Sequence, residues 1–107
     1  MFNITDENVI YLTRGDSADF KINVYTIGGN EYEIKDTDTI TFTLKRSTSD
    51  KENVFQKTGN IIRINPNDTK DLSYGEYVYD VQLNFDNGDV DTIIEPTRFY
   101  VTEEVTF

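Results

Sequence analysis

The sequence contains no cysteine and no histidine, and each absence excludes a class of chemistry. Without cysteine the chain has no disulfide framework, no thiolate nucleophile and no cysteine-ligated zinc. Without histidine it lacks the commonest general base, zinc ligand and pH-sensitive group, so Ser17, Ser47, Ser49 and Ser73 cannot form a Ser–His pair. Tryptophan is absent too, which excludes the Cys–Trp–Cys core of antibody domains but no other β-sandwich.

Long apolar runs and phosphate-binding glycine loops are also missing. No stretch approaches the roughly 18 apolar residues of a membrane helix, so we expect no membrane partner. Residues 1–6 have no basic region and no apolar run, unlike a secretory signal peptide. We therefore expect synthesis in a cytoplasm without export by the usual route. Because no glycine-rich phosphate loop appears, nothing indicates a nucleotide cofactor.

Acidic residues outnumber basic ones, giving a net charge of −10 and a pI of about 4.2. Such a surface repels nucleic-acid phosphates, so we expect no nucleic-acid partner. Three interpretations of the charge remain open. It keeps the protein soluble through self-repulsion, or it forms a surface for cations or a basic partner, or it mimics DNA as an inhibitor.

The length of 107 residues fits a single domain, and abundant Thr, Tyr and Phe favour strands. We predict one all-β domain over residues 1–107, an antiparallel two-sheet sandwich of about seven to nine strands. The predicted strands are Val9–Thr13, Ser17–Tyr25, Glu31–Ile34, Thr39–Lys45, Val54–Lys57, Asn60–Asn65, Glu76–Phe85, Asp89–Glu95 and Arg98–Thr102.

The clearest local pattern is a β-hairpin over Glu76–Ile94. Apolar residues alternate with mostly polar ones along its first strand, which places one apolar row on one face of a sheet. Asn87-Gly88 then predicts a type I′ turn, in which both central residues have positive φ.

One short helical turn is predicted near residues 66–72. Asn65 suits the N-cap, Pro66 the first helical position, and Asp68 the positive end of the helix dipole. The polar segment Arg46–Asn53 is predicted to be a mobile loop. The isolated aromatics Phe2 and Phe107 are expected to lie outside the core, as fraying tails.

Two groups of charged residues invite a functional interpretation. Arg14-Gly15-Asp16 matches the integrin-recognition tripeptide, but it lies where a sharp turn enters a strand, so we interpret it as a turn. Acidic clusters at Asp36 and Asp38, and at Asp86, Asp89 and Asp91, offer oxygen ligands for Ca²⁺ or Mg²⁺. The Asn-Gly turn already accounts for the second cluster.

No two carboxylates are placed opposite each other in a cleft by the sequence, as a glycosidase would need. We therefore predict that the protein is not an enzyme, and we assign no catalytic, cofactor-binding or metal-binding residue. A metal-dependent hydrolase remains a weak alternative.

The seven tyrosines suggest a surface on which sugars could stack. Tyr77 and Tyr79 lie in the inward row of the predicted hairpin and are interpreted as core. The remaining candidates for surface contacts are Tyr11, Tyr25, Tyr32, Tyr74 and Tyr100. A carbohydrate-binding module that contacts a host cell wall is therefore an alternative function.

The order of turns and strands resembles a known family. Arg14-Gly15-Asp16 leads into an alternating strand, followed by Gly28-Gly29-Asn30 and the Ile40–Lys45 strand with its polar loop. Further along come Ile64–Thr69, Gly75–Val81 and Asp86-Asn87-Gly88. Over residues 12–102 this series resembles the small immunoglobulin-like β-sandwich domains of tailed-phage virion proteins. It is similar to the N-terminal domains of baseplate upper proteins, and to related tail or head accessory proteins, of phages infecting Gram-positive bacteria.

In such families a D-T pair opens a short helical turn and G-x-Y starts the long hairpin strand. Asp68-Thr69 and Gly75-Glu76-Tyr77 occupy those places here, whereas the longer region that follows the domain in baseplate upper proteins has no counterpart. The resemblance implies a non-enzymatic phage or prophage structural protein, made in the host bacterial cytoplasm and finally located in the virion. Its expected partners are other virion proteins or further copies of itself, through the Arg46–Asn53 loop and exposed edge strands.

Overall fold

A computed structural model describes residues 1–104, which form an all-β structure with one short helix. Phe107 lies outside the described residues. The strands are β1 (Phe2–Ile4), β2 (Ile10–Thr13), β3 (Ala18–Lys21), β4 (Val24–Tyr25), β5 (Glu31–Tyr32), β6 (Thr39–Lys45), β7 (Phe55–Thr58), β8 (Ile61–Ile64), β9 (Gly75–Asn84) and β10 (Val90–Thr102), and helix α1 is Pro66–Thr69.

The main sheet has six strands in the order β1-β2-β10-β9-β6-β7. Every neighbouring pair is antiparallel except β2 and β10, which run parallel, with Ile10 opposite Phe99 and Thr13 opposite Thr102. The prediction of a purely antiparallel arrangement is therefore wrong at this pair. Most of the chain separates β2 from β10, so the long crossover that parallel neighbours need is present.

Two smaller sheets complete the fold, β3 with β8 and β4 with β5. The β3–β8 pair packs on one face of the main sheet, where the Phe20 ring meets the Phe42 ring edge-on at a centroid distance of 5.7 Å. Ile62 and Ile64 of β8 are fully buried in the same apolar cluster. The β4–β5 pair forms a hairpin that continues beyond β3.

The core follows from the alternating pattern of the long strands. Ile40, Phe42 and Leu44 are buried, whereas the threonines between them are partly exposed on the other face of β6. Phe42 lies at the centre, because its ring contacts four other aromatic rings. Those rings belong to Phe20, Phe55, Tyr79 and Phe99.

Ten strands are found in residues 1–104, whereas nine were predicted. One predicted strand divides into two, two predicted strands join into one, and one strand at the N-terminus was not predicted. The segment Ser17–Tyr25 keeps its alternation but divides at Ile22 and Asn23, because β3 and β4 pair with different partners. The last two predicted strands form one continuous strand, β10, with register irregularities on both sides of Ile94. Pro96 is accommodated in this irregular part, where a missing N–H is tolerated.

The N-terminal residues form strand β1, which the sequence analysis did not predict. Phe2 is partly buried and stacks on Phe20 with ring centroids 5.3 Å apart. The expectation that Phe2 lies outside the core is therefore wrong. The segment around Phe2 is only three residues long before the polar turn, so it shows no alternating pattern long enough to predict a strand.

The β9–β10 hairpin is confirmed, but its turn type is not. Gly88 has a φ of +94°, whereas Asn87 is not among the described residues with positive φ, as a type I′ turn requires. The Gly88 N–H donates to the Phe85 carbonyl at 3.1 Å, and the Phe85 N–H donates to the Asp89 carbonyl at 2.9 Å. This is a three-residue loop built on a type I turn and a left-handed glycine.

The predicted helical turn is confirmed at its start and is shorter than expected. The Asp68 carboxylate accepts the backbone N–H of Asn65 at 2.7 Å, which caps the first turn. The helix ends at Thr69, after which the Leu72 N–H donates to the Thr69 carbonyl at 2.9 Å. Thr69 is fully buried, and its hydroxyl belongs to the contacts described next.

Candidate functional site

The Arg14-Gly15-Asp16 segment forms a turn that is fixed to the rest of the molecule, as interpreted from the sequence. The Asp16 N–H donates to the Thr13 carbonyl at 3.0 Å, and Gly15 has a φ of +83°. The Gly15 N–H donates to the buried hydroxyl of Thr69 at 2.9 Å. Asp16 also pairs with the N-terminal ammonium of Met1.

The Arg14 guanidinium is held by a carboxylate, a backbone carbonyl and an aromatic ring. It binds the Glu104 carboxylate at 2.7 Å from Nη2, donates to the Leu72 carbonyl at 3.2 Å, and lies 4.3 Å from the centre of the Tyr74 ring. The backbone N–H of Arg14 donates to the Thr102 carbonyl at 3.0 Å. We call these residues, together with the Gly15–Thr69 and Asp16–Met1 contacts, the Arg14 anchor, and they give the tripeptide a structural role.

The electrostatics of the Arg14 anchor agree with its geometry. The side-chain hydrogen bond from Arg14 holds the pKa of Glu104 below its ordinary value, while the same bond raises the pKa of Arg14. The side chain of Glu104 is only 8% exposed. A carboxylate so placed is charged because its partner is adjacent.

The tyrosines fall into separate environments. Tyr77 and Tyr79 are buried, as predicted. Burial raises the pKa of Tyr79 to about 12, so its hydroxyl stays protonated and donates to the Asn8 carbonyl at 2.5 Å. The Tyr32 hydroxyl donates to Asp38, while Tyr11 and Tyr100 lie beside each other on the outer face of β2 and β10.

Tyr11 and Tyr100 are the only pair of the predicted tyrosines whose rings stack within residues 1–104. Their centroids are 5.0 Å apart and their planes differ by 15°. A sugar would stack on the face of a ring, and here one face of each ring is already covered by the other. Carbohydrate binding stays a prediction without support from this arrangement.

Two aspartates of the predicted acidic clusters, Asp38 and Asp89, form local hydrogen bonds. Within residues 1–104, no group of three or more carboxylates is arranged to hold a metal ion. Asp38 instead accepts hydrogen bonds from the Lys35 N–H at 3.0 Å and the Tyr32 hydroxyl at 2.7 Å, which lower its pKa. Asp89 lies in the hairpin turn, where its N–H donates to the Asn87 side chain at 2.9 Å.

The Arg46–Asn53 loop, which was predicted as a contact region, lines a groove together with Val54 and Leu72. Two of its serines face each other, since Ser47 Oγ and Ser49 Oγ are 3.1 Å apart. Lys45 Nζ donates to the Asp50 carbonyl at 3.0 Å and ties the loop to β6. The groove is lined by charged side chains of both signs.

The feature that sequence reasoning missed is the tip of the β4–β5 hairpin. Ile27 is fully exposed and Tyr25 is 62% exposed. The signal was an isoleucine immediately before Gly28-Gly29, at a turn position where a polar residue is expected. We name Val24–Tyr32 the apolar hairpin.

In the part of the chain that the structure describes, no helix is long and apolar enough to cross a membrane. Comparison with protein-family models, curated proteins and solved structures finds no match to this chain.

Proposed function

We propose that this chain is a non-enzymatic structural protein of a phage or prophage virion, at the baseplate, tail or head. It acts through protein–protein assembly, and its partners are other virion proteins or further copies of itself. It is made in the host bacterial cytoplasm and ends in the particle. The order of turns and strands over residues 12–102, and its resemblance to small phage virion domains, motivate the proposal.

The apolar hairpin is the observation that carries the assembly function. Ile27 has no contact that would shield it from water, and burying an isoleucine side chain is worth about 1.5–3 kcal/mol. The hairpin is mounted on a closely packed β structure, so a partner would meet a preformed surface. Tyr25, which is 62% exposed, adds a second apolar side chain on the same hairpin, so the hairpin offers a partner more than a single exposed residue.

The proposal includes an immunoglobulin-like arrangement of the strands. Two observations support it: the β3–β8 pair packs on one face of the main sheet, and both layers share one apolar cluster. The net charge of −10 is compatible with assembly on a platform, because like-charged copies repel one another in free solution.

Particle sedimentation tests the proposal. Phage particles released from a bacterium that carries the gene would be separated on a density gradient, and each fraction would be analysed by mass spectrometry. We expect the chain to peak with the particles, while a cytoplasmic host enzyme serves as the control and stays at the top. A chain found only in the particle-free fractions would overturn the proposal.

A further inference from the structure

We propose that the apolar hairpin docks a basic, extended segment of a partner protein, with Ile27 and Tyr25 as its apolar contacts. The inference rests on the proposed assembly function and names the chemistry of the partner. It is carried by the turn geometry of the hairpin and by the charges that surround it.

Three hairpin turns of this molecule share one hydrogen-bonding pattern. In each, the N–H of the fourth residue donates to the carbonyl of the first, and the N–H of the first donates to the carbonyl of the fifth. The three turns are Thr5–Val9, Thr26–Asn30 and Phe85–Asp89, with positive φ at Asn8, Gly29 and Gly88.

The second residue is an aspartate in two of these turns and an isoleucine in the remaining one. It is Asp6 in the first turn and Asp86 in the third, but Ile27 in the second. All three side chains point into solvent, so the turn geometry itself places no demand for an apolar residue. Since an aspartate satisfies the same turn twice in this chain, folding does not explain Ile27.

The hairpin is fixed to the body at its base. The Tyr32 ring meets the Phe85 ring edge-on with centroids 6.2 Å apart, and the Tyr32 hydroxyl donates to Asp38 at 2.7 Å. Val24 is buried in the core. These contacts bring the hairpin, the Lys35–Asp38 connection and the Phe85–Asp89 turn to one end of the molecule, so the apolar tip is held in a defined place.

That end is strongly acidic. The segments 26–38 and 85–91 contain seven carboxylates and a single basic residue, Lys35. The carboxylates are Glu31, Glu33, Asp36, Asp38, Asp86, Asp89 and Asp91. All except Asp38 are exposed. An apolar tip surrounded by carboxylates is complementary to a partner segment that combines an apolar side chain with lysine or arginine.

The same charges argue against the other occupants of an apolar tip. A second copy docking tip to tip would bring two sets of seven carboxylates together, and like charges in an interface are costly. Nucleic acids and anionic lipid surfaces are repelled for the same reason. A basic protein segment is the occupant that the charges favour.

A titration followed by nuclear magnetic resonance tests the inference on the full chain. The probe is a peptide of alternating lysine and valine, and its control is the same peptide with glutamate in place of lysine. We expect amide shifts confined to residues 24–38 and 85–91, with the lysine peptide only. Affinity should fall at least about tenfold between low salt and about 0.5 M NaCl, because screening shortens the reach of the charges.

Two matched variants locate the contact. Ile27→Ser should weaken the peptide at least about fivefold, as expected for a central apolar contact. Ile4→Ser, at another exposed isoleucine on β1, should leave it unchanged. Glu33→Gln with Asp36→Asn should weaken the binding of the peptide. Glu7→Gln with Asp71→Asn removes the same amount of charge at exposed positions away from the hairpin end and should weaken it less.

The inference is overturned by shifts outside the hairpin end, by equal binding of the glutamate peptide, or by no shifts at millimolar peptide. Hairpin shifts that grow with protein concentration alone would also overturn it, in favour of a second copy. Particle sedimentation tests the proposed function independently of the peptide titration. A chain that sediments with particles but does not bind the lysine peptide would refute only the proposed chemistry of the partner.

Discussion

The two ends of this molecule use charged side chains in opposite ways. At the Arg14 anchor the charges are paired, with Arg14 on Glu104 at 2.7 Å and Asp16 on the N-terminal ammonium of Met1. At the apolar hairpin, the carboxylates outnumber the one lysine seven to one around Ile27. The charges at the first end are paired within the chain and stabilise the fold, whereas the second end leaves apolar and charged side chains exposed to solvent.

The sequence draws attention to the Arg14-Gly15-Asp16 motif, whereas the structure draws attention to Ile27. Arg14-Gly15-Asp16 matches a known recognition tripeptide, yet its arginine is occupied by three other parts of the chain: Glu104, the Leu72 carbonyl and Tyr74. Ile27 belongs to no motif and is fully exposed. A match to a short motif indicates a function only where the side chains that carry it are free to act.

The largest expected effect comes from the core that both ends share. Phe42→Ala should lower the free energy of unfolding by about 3–5 kcal/mol, because it leaves a cavity among four aromatic rings. Urea denaturation followed by circular dichroism would measure it. Loss of less than about 1 kcal/mol would show that Phe42 is not the centre of the core.

The next effect distinguishes the Arg14 anchor from an ordinary surface turn. Thr69→Val keeps the size of a fully buried side chain but removes the acceptor for the Gly15 N–H. An unsatisfied buried N–H should cost about 1–3 kcal/mol of unfolding free energy. Thr39→Val, at an exposed threonine of β6, is the control and should change little.

The ion pair of the anchor predicts a pH dependence. The pKa of Glu104 is lowered by Arg14, so the pair stabilises the folded chain above the ordinary carboxyl pKa and is lost as the pH falls through the lowered value. Glu104→Gln should therefore be less stable than the parent at pH 7. Thermal melts should show the difference shrinking in acid; a difference that persists at pH 2 would contradict the pair.

The smallest effect on stability is expected at the apolar hairpin. Ile27→Ser should change the unfolding free energy by less than about 0.5 kcal/mol, because Ile27 packs against nothing in the folded chain. Urea denaturation beside Phe42→Ala gives both values under one condition. Clear destabilisation by Ile27→Ser would assign the residue to folding and remove the contrast between the ends.

Local patterns predicted most of the strands, and tertiary pairing explains the rest. Period-2 alternation was enough for β6 and β9, where a long row of side chains faces one core. It could not show that β2 and β10 pair in parallel, nor that the Ser17–Tyr25 segment divides between two small sheets. Those outcomes depend on contacts between residues far apart in the chain.

The candidate site was harder to predict than the fold. The sequence marked tyrosines and aspartates by type, but type does not say which of them are buried, stacked or hydrogen-bonded. The role of Tyr32 as a clamp on Asp38 and Phe85 depends on three separate segments meeting. The unusual position of Ile27 follows from the hydrogen-bonding pattern that its turn shares with two others, which the sequence does not show.

The most direct test of the account is the abundance of hairpin variants in purified phage particles. Genes for the parent chain, Ile27→Ser and Ile4→Ser would be exchanged in the same phage, and the amount of each protein per particle would be measured by mass spectrometry. The account predicts a several-fold loss of Ile27→Ser relative to both the parent and Ile4→Ser. Equal incorporation of all three would contradict it.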